Sequence, residues 1–284
     1  MNFFLGCAVW AYKGWLGEFY PQGSKAAEFL SLYCQRFTTV EGNTTFYSVP
    51  NPETITRWAT QMPPGFEFCP KLPRKLTHNG LLEPSIPEAL EFLAQMQGLG
   101  AHLGPIFVQL PPGYAPASLD DLIAFLTAWP RSEVPLALEV RHPDWFKTPH
   151  SEHLNTILEQ LGVGRVLLDT RPAYSSSTNY SPPLDVRKPK LPLQPVVTTA
   201  FSIVRFISHP VQEVNQPFLE EWVILVNQWL RLGKRIYFFV HCPLEEYSPG
   251  NARHFQQLLE EHDASVPPLP WDSIDLLPTQ LSLF

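Results

Sequence analysis

No apolar run in this chain approaches the roughly 18 residues that a membrane-spanning helix requires. The longest, such as Ile236 to Val240, stop far short of it. Charge is also scarce: 17% of residues are Asp, Glu, Lys or Arg, against about 25% in average usage. A basic excess is missing altogether, since 20 Lys and Arg stand against 27 Asp and Glu for a net charge of −7. That balance argues against a general binder of nucleic acid or of anionic membranes, whose footprint is basic. The four cysteines, at 7, 34, 69 and 242, form no CxxC and no zinc-ligand spacing. They read as reduced thiols, and the expected compartment is cytoplasmic. The stretch Met1 to Trp10 is apolar but has no basic n-region and is too short for a signal peptide. Walker A, GxSxG and Rossmann fingerprints are absent too, which removes the commonest phosphate cradle, nucleophile elbow and dinucleotide turn.

What is present is core material. At 44% hydrophobic and 13% aromatic the chain is no disordered polymer, and 31 prolines point to rigid loops. Short β-branched or aromatic runs alternate with amphipathic segments. The runs predict strands at Phe3–Gly6, Thr39–Asn43, Phe66–Pro70, Ile106–Leu110, Leu136–Arg141, Gly164–Asp169, Ala200–Phe206 and Arg235–Val240. The segments predict helices at Ser24–Phe37, Pro52–Gln61, Ile86–Gln97, Leu119–Ala128, His150–Leu161, Pro217–Leu232 and Pro249–Glu261. Asn51 before Pro52 reads as an N-cap with proline at the first helical position, while Ser85 with Glu88 and Ser118 with Asp121 have capping-box spacing.

Strict alternation implies parallel strands joined by crossover helices. The expected fold is therefore α/β, a single TIM-like (β/α)8 barrel spanning residues 1–284 with an irregular sixth βα unit. An open doubly wound sheet is the competitor, but the first βα turn lacks the glycines it would need. The irregular stretch, 171–197, is rich in proline and serine and reads as a flap over the site or an arm wrapped on the surface. The tail 265–284 is expected to pack on the outside of the barrel.

In such a barrel ligands bind where the strands end. Polar residues collect there: Glu41 and Asn43 on strand two, Lys71 and then His78 after strand three, Gln109 on strand four, and Glu139, Arg141 and His142 from strand five. Asp169 ends strand six, Arg205 lies on strand seven, and His241 follows strand eight. Charges are almost never buried unpaired, so these groups should share a polar cavity. As a structural device, the three carboxylates and three cations would simply neutralise one another. As a functional site, Glu41, Glu139, His78 and Asp169 are the candidates for acid/base catalysis. Asn43, Tyr47, Lys71, Gln109, Arg141, Arg205 and His241 are then the candidates for binding a small anionic substrate. No metal ligands are assigned, although such residues could assemble a divalent-metal site. The expected activity is hydrolase-like. A metal-dependent phosphodiesterase and a non-catalytic ligand sensor are the alternatives. The aromatic residues Trp10, Tyr12, Trp15, Phe19, Tyr20, Phe46 and Tyr47 read as a packed lid, with Tyr47 reaching the site.

Two blocks also carry a resemblance: Trp10-Ala-Tyr-Lys-Gly-Trp15, and Val40-Glu41-Gly42-Asn43-Thr44-Thr45-Phe46-Tyr47. Together with Lys71, Thr77-His78, Gln109-Leu110-Pro111, Glu139 to Trp145, Asp169, Arg205 and Asn251-Ala252, they resemble the YecE-like family, domain of unknown function 72. The resemblance covers nearly the whole chain. It implies a TIM-like barrel and brings no activity with it. The chain departs from the family pattern where Gly42 replaces isoleucine, where Ser208-His209 replaces His-Gly, and where His241-Cys242 replaces Phe-Asn-Asn or Phe-Asn-Asp. The departures bear on the second half of the site.

Overall fold

In a computed structural model, which describes residues 1–175 and 188–271, eight strands follow one another along the chain. They are β1 (Phe3–Cys7), β2 (Thr39–Gly42), β3 (Glu67–Pro70), β4 (Ile106–Gln109), β5 (Leu136–Glu139), β6 (Gly164–Asp169), β7 (Phe201–Ile207) and β8 (Arg235–His241). Each lies where the β-branched and aromatic runs predict it, with ends displaced by at most two residues. Every ladder between them is parallel. The strands form a six-stranded sheet in the order β1-β8-β7-β6-β5-β4 and a separate β2-β3 pair. Around the two junctions the backbones meet through isolated bonds: Thr38 N donates to Leu5 O at 3.2 Å, and Leu72 N donates to Phe107 O at 3.0 Å. The ladder is therefore not continuous through all eight strands.

The helices are α1 (Phe29–Cys34), α2 (Asn43–Tyr47), α3 (Pro52–Gln61), α4 (Arg74–Thr77), α5 (Ile86–Met96), α6 (Leu119–Ala128), α7 (His150–Leu161), α8 (Gln212–Arg231) and α9 (Ser248–Glu261). Of the expected caps, Asn51 forms: its side chain accepts from Thr54 N at 2.9 Å, with Pro52 opening α3. The two capping boxes do not. Ser85 and Ser118 each close a preceding 3-10 turn and make no side-chain cap. Their acidic partners bond elsewhere. Glu88 pairs with Lys75 at 2.5 Å, and Asp121 accepts from Leu82 N and Glu83 N at 2.8 and 2.9 Å. The helix α8 starts at Gln212, ahead of Pro217, which it carries internally. The expected Ser24–Phe37 helix is a 3-10 turn, Ala26–Glu28, followed by the short α1. The turns α2 and α4 had no period long enough to announce them.

Two cores follow from the alternation of strand side chains. Outward-facing residues pack with the helices in one large apolar cluster that includes Leu5, Val40, Phe68, Val108, Leu138, Phe206 and Phe238. Inward-facing residues form a second cluster of Phe4, Cys69, Phe107, Ala137, Val166, Phe201, Ile203, Tyr237 and Phe239. In the described part of the tail, Val266, Leu269 and Trp271 lie against the outer cluster. The rest, 272–284, lies outside the described residues, as does 176–187 of the irregular stretch. What is described of that stretch is tied down. Thr170 Oγ1 donates to Pro189 O at 3.2 Å, and Gln194 Nε2 donates to Phe146 O at 2.9 Å. All four cysteines are free and buried. No described helix is long and apolar enough to cross a membrane.

Candidate functional site

The inner apolar cluster decides where the polar residues go. One inward step, two residues, beyond its members come Lys71 after Cys69, Gln109 after Phe107, Glu139 after Ala137, Arg205 after Ile203 and His241 after Phe239. Glu41 joins them from β2, opposite Cys69 in register. Six strands thus deliver a polar side chain to one layer at their C-terminal ends.

Arg205 is the hub. Its Nε and Nη2 donate to the two oxygens of Glu41, both at 2.8 Å, and its Nη1 donates to Glu139 Oε2 at 2.6 Å. The other Glu139 oxygen accepts from Arg141 Nε at 2.6 Å. The ring of His241 meets Glu41 Oε2 at 2.8 Å through Nε2. Lys71 Nζ donates to Gln109 Oε1 at 2.7 Å and to Asn43 Oδ1 at 3.3 Å, and stands 4.0 Å from the centre of the Phe46 ring. Asn43 Nδ2 donates in turn to Ala8 O at 3.1 Å. Glu41, Glu139, Arg205, His241, Lys71 and Gln109 are all buried.

Burial by itself would raise both glutamates, but the cations overrule it. Arg205 and His241 hold the Glu41 carboxyl well below its usual range, and Arg141, Arg205 and Lys71 bring Glu139 to about 2. The His241 imidazole is pushed by burial down to about 4 despite Glu41. Lys71 is driven well below an ordinary lysine, by burial first and by the charge of Arg205 next. Each glutamate oxygen already has a donor, so the two carboxylates act as fixed posts for the guanidiniums. Arg141 Nη2, by contrast, is buried with no hydrogen-bond partner among the described residues.

Three expected residues fall elsewhere. Asp169 is on the wrong face: it pairs in register with outward Phe206, while Leu168 pairs with inward Arg205. Its carboxylate accepts from Arg171 Nε and Nη2 at 3.0 and 2.9 Å and from Trp222 Nε1 at 2.8 Å, which makes it an anchor for α8. Tyr47 is 80% exposed on α2 and the structure does not bring it into the cluster. His78 ends α4 at the rim, with Nδ1 2.7 Å from Thr77 Oγ1 and its ring edge-on to Phe46. Burial, then Arg74, Arg141 and Lys71, lowers it to about 4. Of the other lid aromatics, Trp10, Trp15, Phe19, Tyr20 and Phe46 are packed and buried, while Tyr12 is half-buried and donates to Glu246 Oε2 at 3.2 Å.

Residues that the strand-end rule passes over also lie within electrostatic reach of the cluster. Lys188, at the edge of the irregular stretch, is lowered by burial and then by Arg205 and Arg141. Glu245, in the loop after β8, accepts from Ser248 Oγ at 2.8 Å, and its backbone oxygen takes the Trp15 Nε1 proton, also at 2.8 Å. Burial lifts its carboxyl to about 7, with Ser248 and Lys188 pulling the other way. Beside it is a cavity of about 180 Å³, walled by Ala8, Val9, Trp10, Ala11, Tyr12 and Thr44. Neither residue ends a strand. Only the glutamate's place just past β8 could have signalled it. Among the described residues no group of three His, Cys, Asp or Glu side chains converges as a metal site.

The family described as "Protein of unknown function DUF72" matches residues 4–273. The UPF0759 protein YecE of Escherichia coli K12 is 31% identical over 284 residues, 99% of both chains. The chain belongs to the DUF72 family. The YecE of Escherichia coli O157:H7 aligns equally, at 31% over 99% of both chains. Among solved structures, a DUF72 family protein of Enterococcus faecalis V583 superposes with a TM-score of 0.70 at 17% identity, covering 98% of this chain and 99% of its own. Another, from Thermotoga maritima MSB8, gives 0.66 at 19%, covering 92% and 100%. At those identities the likeness speaks for the DUF72 fold alone. The departures at Ser208 and His209 are structural in this DUF72 chain. Ser208 Oγ donates to His241 O at 2.7 Å and accepts from Asn251 Nδ2 at 2.9 Å, fastening the end of β7 to β8 and α9.

Proposed function

We propose that the eight strands make a TIM-like (β/α)8 barrel and that the chain is an acid/base enzyme acting on a small anionic substrate at its C-terminal mouth. One observation carries the reading: the buried layer holds a guanidinium donor that its carboxylates leave unsatisfied. Glu41 and Glu139 are consumed by Arg205 and Arg141. Arg141 keeps an unpartnered donor in Nη2. Buried donors without acceptors are costly, and a carboxylate or phosphate satisfies them with charge-assisted bonds.

In this reading the roles expected of Glu41 and Glu139 change. Carboxylates held so low are poor proton carriers near neutrality; they orient the guanidiniums instead. Proton transfer falls to Glu245, whose carboxyl at about 7 can both give and take a proton at working pH. The cavity beside it accommodates an apolar part of the substrate.

The test is calorimetric titration with a panel of small carboxylates and phosphate monoesters. At least one should bind the wild-type chain. Arg141→Gln should weaken that anion by about ten- to a hundredfold, the equivalent of one charged hydrogen bond. Equal binding by the variant, or no anion bound by the wild type, overturns the proposal. Turnover of a bound anion, lost in Glu245→Gln with affinity retained, separates an enzyme from a sensor.

A further inference from the structure

Lys71 is set up unlike the other cations of the site. It is 4% exposed, yet no carboxylate of the described residues lies within ion-pairing distance of it. Its polar contacts are two neutral side-chain oxygens, Gln109 Oε1 and Asn43 Oδ1, and two aromatic rings, Phe46 and Phe107, flank it at 4.0 and 5.4 Å. An ammonium has three hydrogens to place, whereas a neutral amine has two and a lone pair. The two oxygens take both hydrogens of the amine, whereas the third hydrogen of an ammonium would find only an aromatic face. The cations Arg205 and Arg141 act on it from β7 and from the end of β5, and burial favours the same uncharged form. A desolvated lysine beside other cationic groups is the usual form of an activated amine nucleophile.

From this geometry we infer that Lys71 is a covalent nucleophile that forms a Schiff base with a small 2-oxo acid, the carboxylate of which is taken by the free Nη2 of Arg141. The inference rests on the anion site proposed above and names its substrate class. The step balances without any further reactant. The Nζ lone pair forms a bond to the carbonyl carbon, the carbonyl electron pair moves to oxygen, and a proton passes from nitrogen to that oxygen to give a neutral carbinolamine. Its hydroxyl then takes one proton from the site and leaves as water while the nitrogen lone pair forms the C=N bond. The product is the protonated imine, which keeps the remaining hydrogen on nitrogen. Asn43 and Gln109 position the amine, and the 2-oxo acid supplies the acceptor that Arg141 Nη2 lacks.

The experiment is borohydride trapping on the full chain at neutral pH, with pyruvate, glyoxylate or 2-oxoglutarate, followed by intact mass and peptide mapping. Formaldehyde, which needs no anion recognition, is run in parallel with cyanoborohydride to probe the amine itself. The expected result is a single dominant adduct on Lys71, with exposed Lys75 at background in the 2-oxo acid arms. Lys71→Arg should abolish it while circular dichroism shows the fold retained. If formaldehyde methylates Lys75 but not Lys71, the amine is not a nucleophile and the inference fails. If formaldehyde marks Lys71 but no 2-oxo acid does, the substrate class is wrong. In either case a surviving anion titration leaves the proposed binding function standing, and its loss in the same preparation shows that the function has failed instead.

Discussion

A single guanidinium, Arg205, organises the site, because among the described residues it is the one group bonded to both buried glutamates. Removing it leaves two desolvated carboxylates facing each other. Breaking a buried pair by deleting one partner costs about 3–5 kcal/mol, so Arg205→Met should lower the unfolding free energy by that order in urea titration. A loss below about 1 kcal/mol, the worth of an exposed pair, would mean that the glutamates are not held as the structure places them. At this scale the residue types were legible and their directions only partly so. Charges ending strands predicted a shared polar layer, and Glu41, Asn43, Lys71, Gln109, Glu139, Arg141, Arg205 and His241 occupy it. Asp169 misled because a strand end offers two neighbours of opposite direction, and the register of β6 on β7 turned Leu168 inward instead. Glu245 and Lys188 were invisible to a rule that looks only at strand ends.

Between elements, the tightest fit is β1 against β2. A side-chain carbon on Gly6 would lie 1.9 Å from Thr39 O and 2.8 Å from Tyr33 Oη, well inside contact distance. Tyr33 Oη also accepts from Cys7 N at 2.6 Å, so the strand cannot yield without losing that bond. Gly6→Ala should therefore lower the urea midpoint, by an overpacking cost of about 1–3 kcal/mol or more. An unchanged midpoint would show that β1 and β2 do not approach so closely. The same approach explains why this junction is made by side chains and single backbone bonds rather than by a ladder. Strand and helix placement was legible because period two and period 3.6 are local properties. The capping boxes were misjudged for a non-local reason: Asp121 and Glu88 found partners in other segments, and those contacts outweighed the local cap.

For the molecule as a whole, a net charge of −7 coexists with a buried cluster in which two arginines pair with two glutamates. Stability should follow pH accordingly. His241 and His78 sit at about 4 in the fold, below their ordinary 6.5, chiefly because they are buried. Glu139 sits at about 2 instead of 4.5, because Arg141, Arg205 and Lys71 overcome its burial. Depressed groups stabilise the fold above their unfolded values and lose that contribution as pH falls through the folded ones. Thermal midpoints should thus begin to decline below pH 6.5 and fall more steeply below 4.5. Glu139→Gln should start lower and show a shallower limb, to which Glu41 still contributes. A midpoint flat from pH 7 to 4, or a variant with the full limb, would contradict the ionic arrangement.

The order of elements, the parallel pairing, the inner and outer faces and the polar character of the strand ends were determined by the sequence itself. Each depends on short-range alternation of apolar and polar residues, which the chain carries wherever it folds. Tertiary structure alone decided which charges cancel and which are left over. Hydrogen-bond partners 164 positions apart, as Glu41 and Arg205 are, meet only when register and strand order are set. Their meeting consumes the carboxylates, isolates Lys71 and brings Glu245 beside the layer, because a buried charge takes its protonation state from neighbours in space rather than in sequence.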